Sequence, residues 1–194
     1  MKYNRPPRRD VIPKHADKVF DGEIFDVYQW QQKMFNGSFS TFEALKRADT
    51  ANIIAVTPEK KILVLEEEQP NKPMFLGVVG GRIDDGEEPL QAAIRELREE
   101  TGYEAGSWEL WFSSRPLSKI DWTIYNFIAK DCVIASDQSL DAGERIKIEL
   151  YDFDRFTQLG FNDDFHDKDI KLRLLSALAN SANLAELRQL LLSE

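Results

Sequence analysis

Glu96, Glu99 and Glu100 stand three and four residues apart in a strongly charged run. A helix turns by roughly 100° per residue, so Glu99 and Glu100 both fall within about 60° of Glu96 on one face. Three like charges there repel, each pair by about 0.2–0.5 kcal/mol and by more where water is excluded. A divalent cation reverses the sign of that interaction, and an all-oxygen donor set suits Mg2+ or Mn2+. His15 and His166 are isolated in the chain, which leaves no ligand pattern for zinc. Arg95, four residues before Glu99, can pin one carboxylate without joining a metal. A bare Glu-x-x-Glu-Glu is also what a solvated helix face looks like, so the surroundings must decide between the two readings.

Those acids need a helix, and the chain punctuates one. Pro89 suits its first turn and Gly102 its C-terminal stop, while Leu90, Ala93, Ile94, Leu97 and Thr101 form an apolar set about 120° from Glu96. The acids are therefore expected beside the seam that docks on a sheet. Upstream, Asn52–Thr57 and Ile62–Leu65 read as strands joined in a hairpin across the turn at Pro58–Lys60. Met74–Val79 follows, then Gly80-Gly81 and a polar turn through Asp84-Asp85-Gly86. From Lys18 to Lys46, aromatic and β-branched residues alternate with polar ones around turn signals at Asp21-Gly22 and Asn36-Gly37, which predicts a small antiparallel β unit.

Downstream, Trp108–Ser113, Trp122–Ala129 and Ile146–Asp152 read as strands, and Asp163–Glu194 as two helical segments split near 179–183. The pattern predicts an α/β layered domain with C-terminal helices. Residues 1–16 show no periodicity and read as a loose arm, followed by the N-terminal β element at 17–48 and the main domain at 49–194.

The 194 residues carry a net charge of -9, which repels nucleic-acid backbones and anionic membrane surfaces, so an anionic substrate needs local cations. The single cysteine, Cys132, excludes an intrachain disulfide, and no apolar run is long enough to span a membrane. A cytoplasmic protein is the expectation.

The run from Gly81 to Tyr103 then settles the reading of the acids. Gly81, Glu87, Arg95, Glu96, Leu97, Glu99, Glu100, Gly102 and Tyr103 stand in register with the pattern Gly, five residues, Glu, seven residues, Arg-Glu-apolar-any-Glu-Glu-any-Gly-apolar. The chain thereby resembles the Nudix hydrolases. The resemblance implies an α/β/α sandwich with a mixed sheet, and metal-dependent hydrolysis of a diphosphate linkage. It implies that Glu96, Glu99 and Glu100 bind the cations with a further ligand from the Gly81 carbonyl, that Arg95 and Glu99 belong to the catalytic centre, and that Glu87 supports the carboxylates.

Beyond this box the chain resembles the ADP-ribose and nucleoside-diphosphate-sugar pyrophosphatases. The features are the N-terminal β element, the stretch Ser114-Arg115-Pro116-Leu117, and the acidic loop Leu140-Asp141-Ala142-Gly143-Glu144-Arg145-Ile146. Such a loop often supplies the catalytic base in that group, which implies Glu144, with Asp141 behind it. Val78-Val79-Gly80-Gly81 departs from the usual Pro-Ala-Gly or Pro-Gly-Gly ending, and the proline after the box comes about two residues early.

The implied substrate is a small nucleotide, ADP-ribose cleaved to AMP and ribose 5-phosphate. GDP-mannose, a dinucleoside polyphosphate, or a nucleotide sensed without turnover are the alternatives. Arg47 and Arg82 are candidate phosphate contacts in an acidic protein. Tyr28, Trp30 or Phe35 could stack a base, across a homodimer interface as in related enzymes, although core packing also accounts for each.

Overall fold

The computed structural model describes residues 12–193, so most of the arm expected at 1–16 lies outside the described residues. Three antiparallel strands come first: β1 (Asp17–Phe20), β2 (Asp26–Lys33) and β3 (Phe39–Lys46). They form the β unit that the alternation predicts, and its apolar residues Phe20, Phe35 and Phe39 remain exposed.

Two further sheets form the middle of the molecule. In one, the order is β7 (Val79–Arg82), β4 (Thr50–Ala55), β11 (Ile124–Lys130) and β9 (Ser107–Ser114), with β4 and β11 parallel and the other pairs antiparallel. In the other, β5 (Ile62–Glu68) is paired on its two sides by β6 (Phe75–Gly77) and β13 (Arg145–Tyr151). The expected hairpin between the strands at 52–57 and 62–65 is reduced to the single bridge Val56↔Ile62. The reason is hydrogen-bonding capacity: both edges of β4 are already taken by β7 and β11, so β5 must find partners elsewhere.

Period-2 alternation along β4 divides two cores. Ala51, Ile53 and Ala55 pack with Ala93 and Leu97 of α1 (Pro89–Thr101), whereas Ile54 and Val56 pack with Ile170 and Leu174 of α3 (Lys168–Leu178) and Leu187 of α4 (Ser181–Leu192). A strand covered on both faces reads as one continuous apolar run, as this one does. Mixed sheets between α1 and the C-terminal helices make the α/β/α arrangement that the resemblance implies.

The strand expected at Trp122–Ala129 begins two residues later, as β11 from Ile124, and the short β10 (Ile120–Asp121) before it joins β3. Tyr103–Glu104 and Val133–Ile134 form a short ladder, β8 with β12. At the C-terminal end, α2 (Phe153–Gln158) and a 3-10 turn (Leu159–Phe161) occupy a stretch not read as helical. The helix expected from Asp163 begins only at Lys168, because the backbone at 164–166 bonds Leu76 on β6: Leu76 N–H donates to Asp164 O at 2.8 Å and His166 N–H to Leu76 O at 2.9 Å. Helices α3 (Lys168–Leu178) and α4 (Ser181–Leu192) then pack together, split at Ala179-Asn180 as expected.

Candidate active site

Helix α1 has its boundaries where the sequence puts them. Pro89 opens it, and Gly102 closes it at φ 72° with its N–H on Arg98 O. The apolar face is displaced from the expected one: Ala92 is buried, Ile94 is exposed, and Glu100 lies in the middle of the buried arc. That carboxylate meets β7 at the adjacent glycines Gly80 and Gly81. Gly80 N–H donates to Glu100 Oε2 at 2.9 Å, and a Cβ on Gly81 would run into the Glu96 carboxylate. Two adjacent glycines on a strand thus let two acids close on backbone.

Arg95 organises the rest. Its guanidinium donates to both Glu87 oxygens at 3.1 Å, to Glu96 at 2.8 Å, to Glu99 at 3.0 Å and to the Arg82 carbonyl at 2.9 Å. Glu87 accepts from Asp84 N–H as well, so the turn before the helix and the helix itself are tied through one arginine. The Arg95 charge is held firmly on, and the Glu87 carboxyl is held low by the same hydrogen bonds.

The acidic loop reaches the same place. Ser139 N–H bonds the Glu99 carbonyl at 2.8 Å, and the Gln138 amide bonds the Glu100 carbonyl at 2.6 Å, lacing the loop to the last turn of α1. A cavity of about 570 Å3 results, lined by Gly80, Gly81, Arg82, Glu96, Glu100 and Glu144 among others. Burial pushes Glu100 up to about 9 and raises Glu96 and Glu144, each made worse by neighbouring carboxylates.

Of the other expected contacts, Arg82 lines this cavity, with Asp84 at 3.5 Å. Arg47 does not: it lies over Trp122 at 4.6 Å and Phe25 at 5.6 Å. Tyr28 lines an adjoining cavity of about 510 Å3 that Arg47 also borders. Trp30 bonds Gln32 and packs near Phe42, away from the carboxylates, and Phe35 is fully exposed.

Two acids near the centre were not anticipated. Glu67 is pushed up to about 7 by burial first, then by Asp167 and Glu144. Its signal was period 2: Glu66 and Glu68 face Lys147 and Arg145 across the ladder, so the middle glutamate must turn the other way. Asp167 accepts Val78 N–H at 2.7 Å and Asn52 Nδ2–H at 3.2 Å; nothing in its local sequence announces that.

The donor set fits an oxygen-loving dication in its chemistry, because crowded, half-desolvated carboxylates are what such a charge relieves. Among the described residues, however, no three carboxylate, imidazole or thiol groups converge on one point as a ready ligand shell. Arg95 bonds one oxygen of Glu96 and one of Glu99, and Gly80 N–H one oxygen of Glu100, so each carboxylate keeps an oxygen for a cation while the arginine stays in place.

The chain is similar to known proteins in sequence and in fold. The sequence model of the NUDIX domain matches residues 46–171. An ADP-ribose pyrophosphatase of Bacillus subtilis is 28% identical over 144 residues, 68% of this chain and 73% of that one. A methanol dehydrogenase activator of Bacillus methanolicus is 30% identical over 118 residues, 59% of this chain and 63% of that one. Among solved structures, that of an ADP compounds hydrolase superposes with a TM-score of 0.70 at 22% identity, covering 91% of this chain and 92% of its own, which is a likeness of fold.

Proposed function

The chain belongs to the NUDIX family of hydrolases, and from that premise we propose that it hydrolyses the diphosphate linkage of a nucleoside diphosphate sugar, ADP-ribose foremost, with Mg2+ or Mn2+. The observation that carries this reading is one cavity shared by Glu96, Glu99, Glu100, Arg95, Gly81 and Glu144. The similarity to the Bacillus subtilis ADP-ribose pyrophosphatase over most of both chains supports the choice of substrate.

In this reading Glu96, Glu99, Glu100 and the Gly81 carbonyl would hold a divalent cation, whose charge would offset that of the diphosphate oxygens and make a nearby water more acidic. Glu144 takes a proton from the attacking water, a role suited to a carboxylate whose basicity is raised by burial and by Asp141. Water oxygen bonds one phosphorus, the bridging P–O bond breaks, and two phosphate monoesters leave, AMP and ribose 5-phosphate from ADP-ribose. Arg95, tied to Glu87, orients the carboxylates. Arg82 is the phosphate contact at the cavity edge, and Arg47 lies beyond it.

The exposed phenylalanines of the N-terminal β element at 17–48 give it the character of a homodimer face, while 49–194 forms the hydrolase domain. The deciding experiment incubates the protein with Mg2+ and a panel of nucleoside diphosphate sugars and identifies products by chromatography. Phosphate monoesters are expected, with Glu144→Gln about 10²–10⁴-fold slower at unchanged metal affinity. Intact substrates across the panel would end this reading.

A further inference from the structure

Val78 is the one residue between β6 and β7, and it carries the chain from one sheet to the other. β6 pairs with β5 and β7 with β4, so the Val78 N–H belongs to neither ladder. The residue is buried, and a buried N–H without a ladder partner needs an acceptor elsewhere. Asp167 supplies it from the start of α3, at 2.7 Å. The same carboxylate lies at the step itself, since a Cβ on Gly77 would stand 3.5 Å from Asp167 Oδ2.

Two residues further on, Gly80 N–H donates to Glu100 at 2.9 Å. The short run 78–80 is thus bonded to two carboxylates, one at the start of α3 and one in the last turn of α1. Asp167 holds this run in a second way. Its other oxygen accepts Asn52 Nδ2–H at 3.2 Å, and Asn52 is the register partner of Gly80 on β4. The Asn52 side chain lies against Gly80, where a Cβ would meet its Oδ1 at 2.9 Å. One carboxylate therefore fixes both strands at Gly80, β7 through a backbone N–H and β4 through a side chain.

The residue type fits this task. Two donors converge on Asp167, and a carboxylate offers an acceptor oxygen to each, whereas an asparagine has only one. An aspartate at an N-cap ordinarily accepts an N–H of its own helix, and Asp167 makes no such bond. Its capacity goes instead to the step between the sheets. Little tolerance is left there: a shift of about 0.7 Å along the Gly80–Glu100 bond would take it out of hydrogen-bonding range.

We propose that Asp167 is a positioning residue for the carboxylate cluster. Through Val78 and Asn52 it sets the path of residues 78–81, and with it the Gly80 N–H that holds Glu100 and the close approach of Gly81 to Glu96. The assignment rests on the proposed hydrolase reading for what Glu100 does with a cation, but the geometry it asserts can be read without metal or turnover.

Amide hydrogen exchange is followed by NMR in EDTA, well below the unfolding temperature, for the wild type, Asp167→Ala and Asp167→Asn. Ile54 and Ile128, paired on the two central strands, serve as internal references. In Asp167→Ala the Gly80 N–H is expected to exchange about tenfold or more faster relative to these references, the scale of one lost hydrogen bond. Asp167→Asn, which keeps one acceptor, is expected to fall between. A residue that only stabilises the fold would speed all three amides together. Mn2+ binding, read by electron paramagnetic resonance, is expected to weaken about 10–100-fold in Asp167→Ala. Gly80 exchange in step with the references in both variants, or Mn2+ affinity equal to the wild type, overturns the proposal even if the enzyme hydrolyses ADP-ribose. Should Asp167→Ala fail to fold, Asp167→Asn decides by the same criteria. A protein in which Gly80 responds selectively, but which binds no Mn2+ and cleaves no nucleotide sugar, keeps the hold of Asp167 on Gly80 and retires the hydrolase reading.

Discussion

Glu100 Oε2 accepts the backbone N–H of Gly80 at 2.9 Å, joining the buried face of α1 to the strand that begins the sequence box. The contact holds a carboxylate where its charge is expensive, since burial and neighbouring acids push it up to about 9. Glu100→Gln keeps the size and an acceptor for Gly80 but cannot carry the charge. We expect metal-free stability equal to or above that of the wild type, because the cost of burying an anion is gone. Activity should fall about 100-fold or more, on the scale of losing a group that acts on the transition state. Turnover that persists with wild-type metal dependence in the folded variant would remove Glu100 from the metal.

The same burial sets a pH dependence. Folded-state values of Glu100 and Glu96 lie above their ordinary ones, so the metal-free fold binds more protons than the unfolded chain. Their contribution to stability is complete below the unfolded value of about 4.3 and is lost as pH rises, that of Glu100 as pH approaches about 9. A cation competes with those protons and stabilises the fold by mass action, so its effect grows with pH. Thermal unfolding in EDTA and in Mg2+ at about pH 6 and about pH 8.5 checks this: the Mg2+ increment in Tm should be larger at the higher pH. Equal increments, or none, would contradict cation binding at these acids.

What the sequence discloses about this site divides along the range of the interactions. Helix α1 was legible from Pro89 to Gly102 because both ends are set by local backbone chemistry. The acid cluster was legible from helical spacing, and the alternation of β2 and β3 from period 2. Burial of Glu100 was not, since a helical wheel records only the helix, and the partner of that carboxylate is the Gly80 N–H, twenty residues earlier on another element. Ile94 fails for the same reason: it is apolar and at a plausible angle, but the sheet does not extend over it. The hairpin expected at 52–65 fails because β4 finds two non-local partners, and pairing partners cannot be counted from one strand. Asp167 is invisible because its sequence context prescribes an N-cap, whereas tertiary packing assigns its carboxylate to Val78 and Asn52.

Arg95 offers a test of orientation as distinct from charge. Its planar guanidinium bonds Glu87, Glu96, Glu99 and the Arg82 carbonyl together, which an ammonium cannot do. Arg95→Lys keeps the positive charge and should still cost about 10–100-fold in activity, the usual penalty for losing support behind a metal ligand. Metal titration of activity is the measurement, with a higher Mg2+ requirement expected. Wild-type titration curves in the lysine variant would reduce Arg95 to a counter-charge.

Gly81 is where the backbone requirement can be separated from the acids themselves. A Cβ there would run into the Glu96 carboxylate, although the glycine is not in the left-handed region and alanine can adopt its backbone. Gly81→Ala should therefore fold, at a cost of about 1–3 kcal/mol for the overpacked contact. Glu96 must swing aside, which disturbs its bond to Arg95 and its approach to the Gly81 carbonyl together. Activity should drop by about 10–100-fold with a raised Mg2+ requirement. The neighbouring Gly80→Ala is predicted to be worse for folding, because a Cβ there would meet the Ala51 carbonyl at 2.5 Å, backbone that cannot turn away. Circular dichroism, unfolding curves and metal-activation curves on the two variants distinguish these effects. If Gly81→Ala retains full activity at wild-type Mg2+, then close approach of Glu96 to this strand is not part of the catalytic geometry.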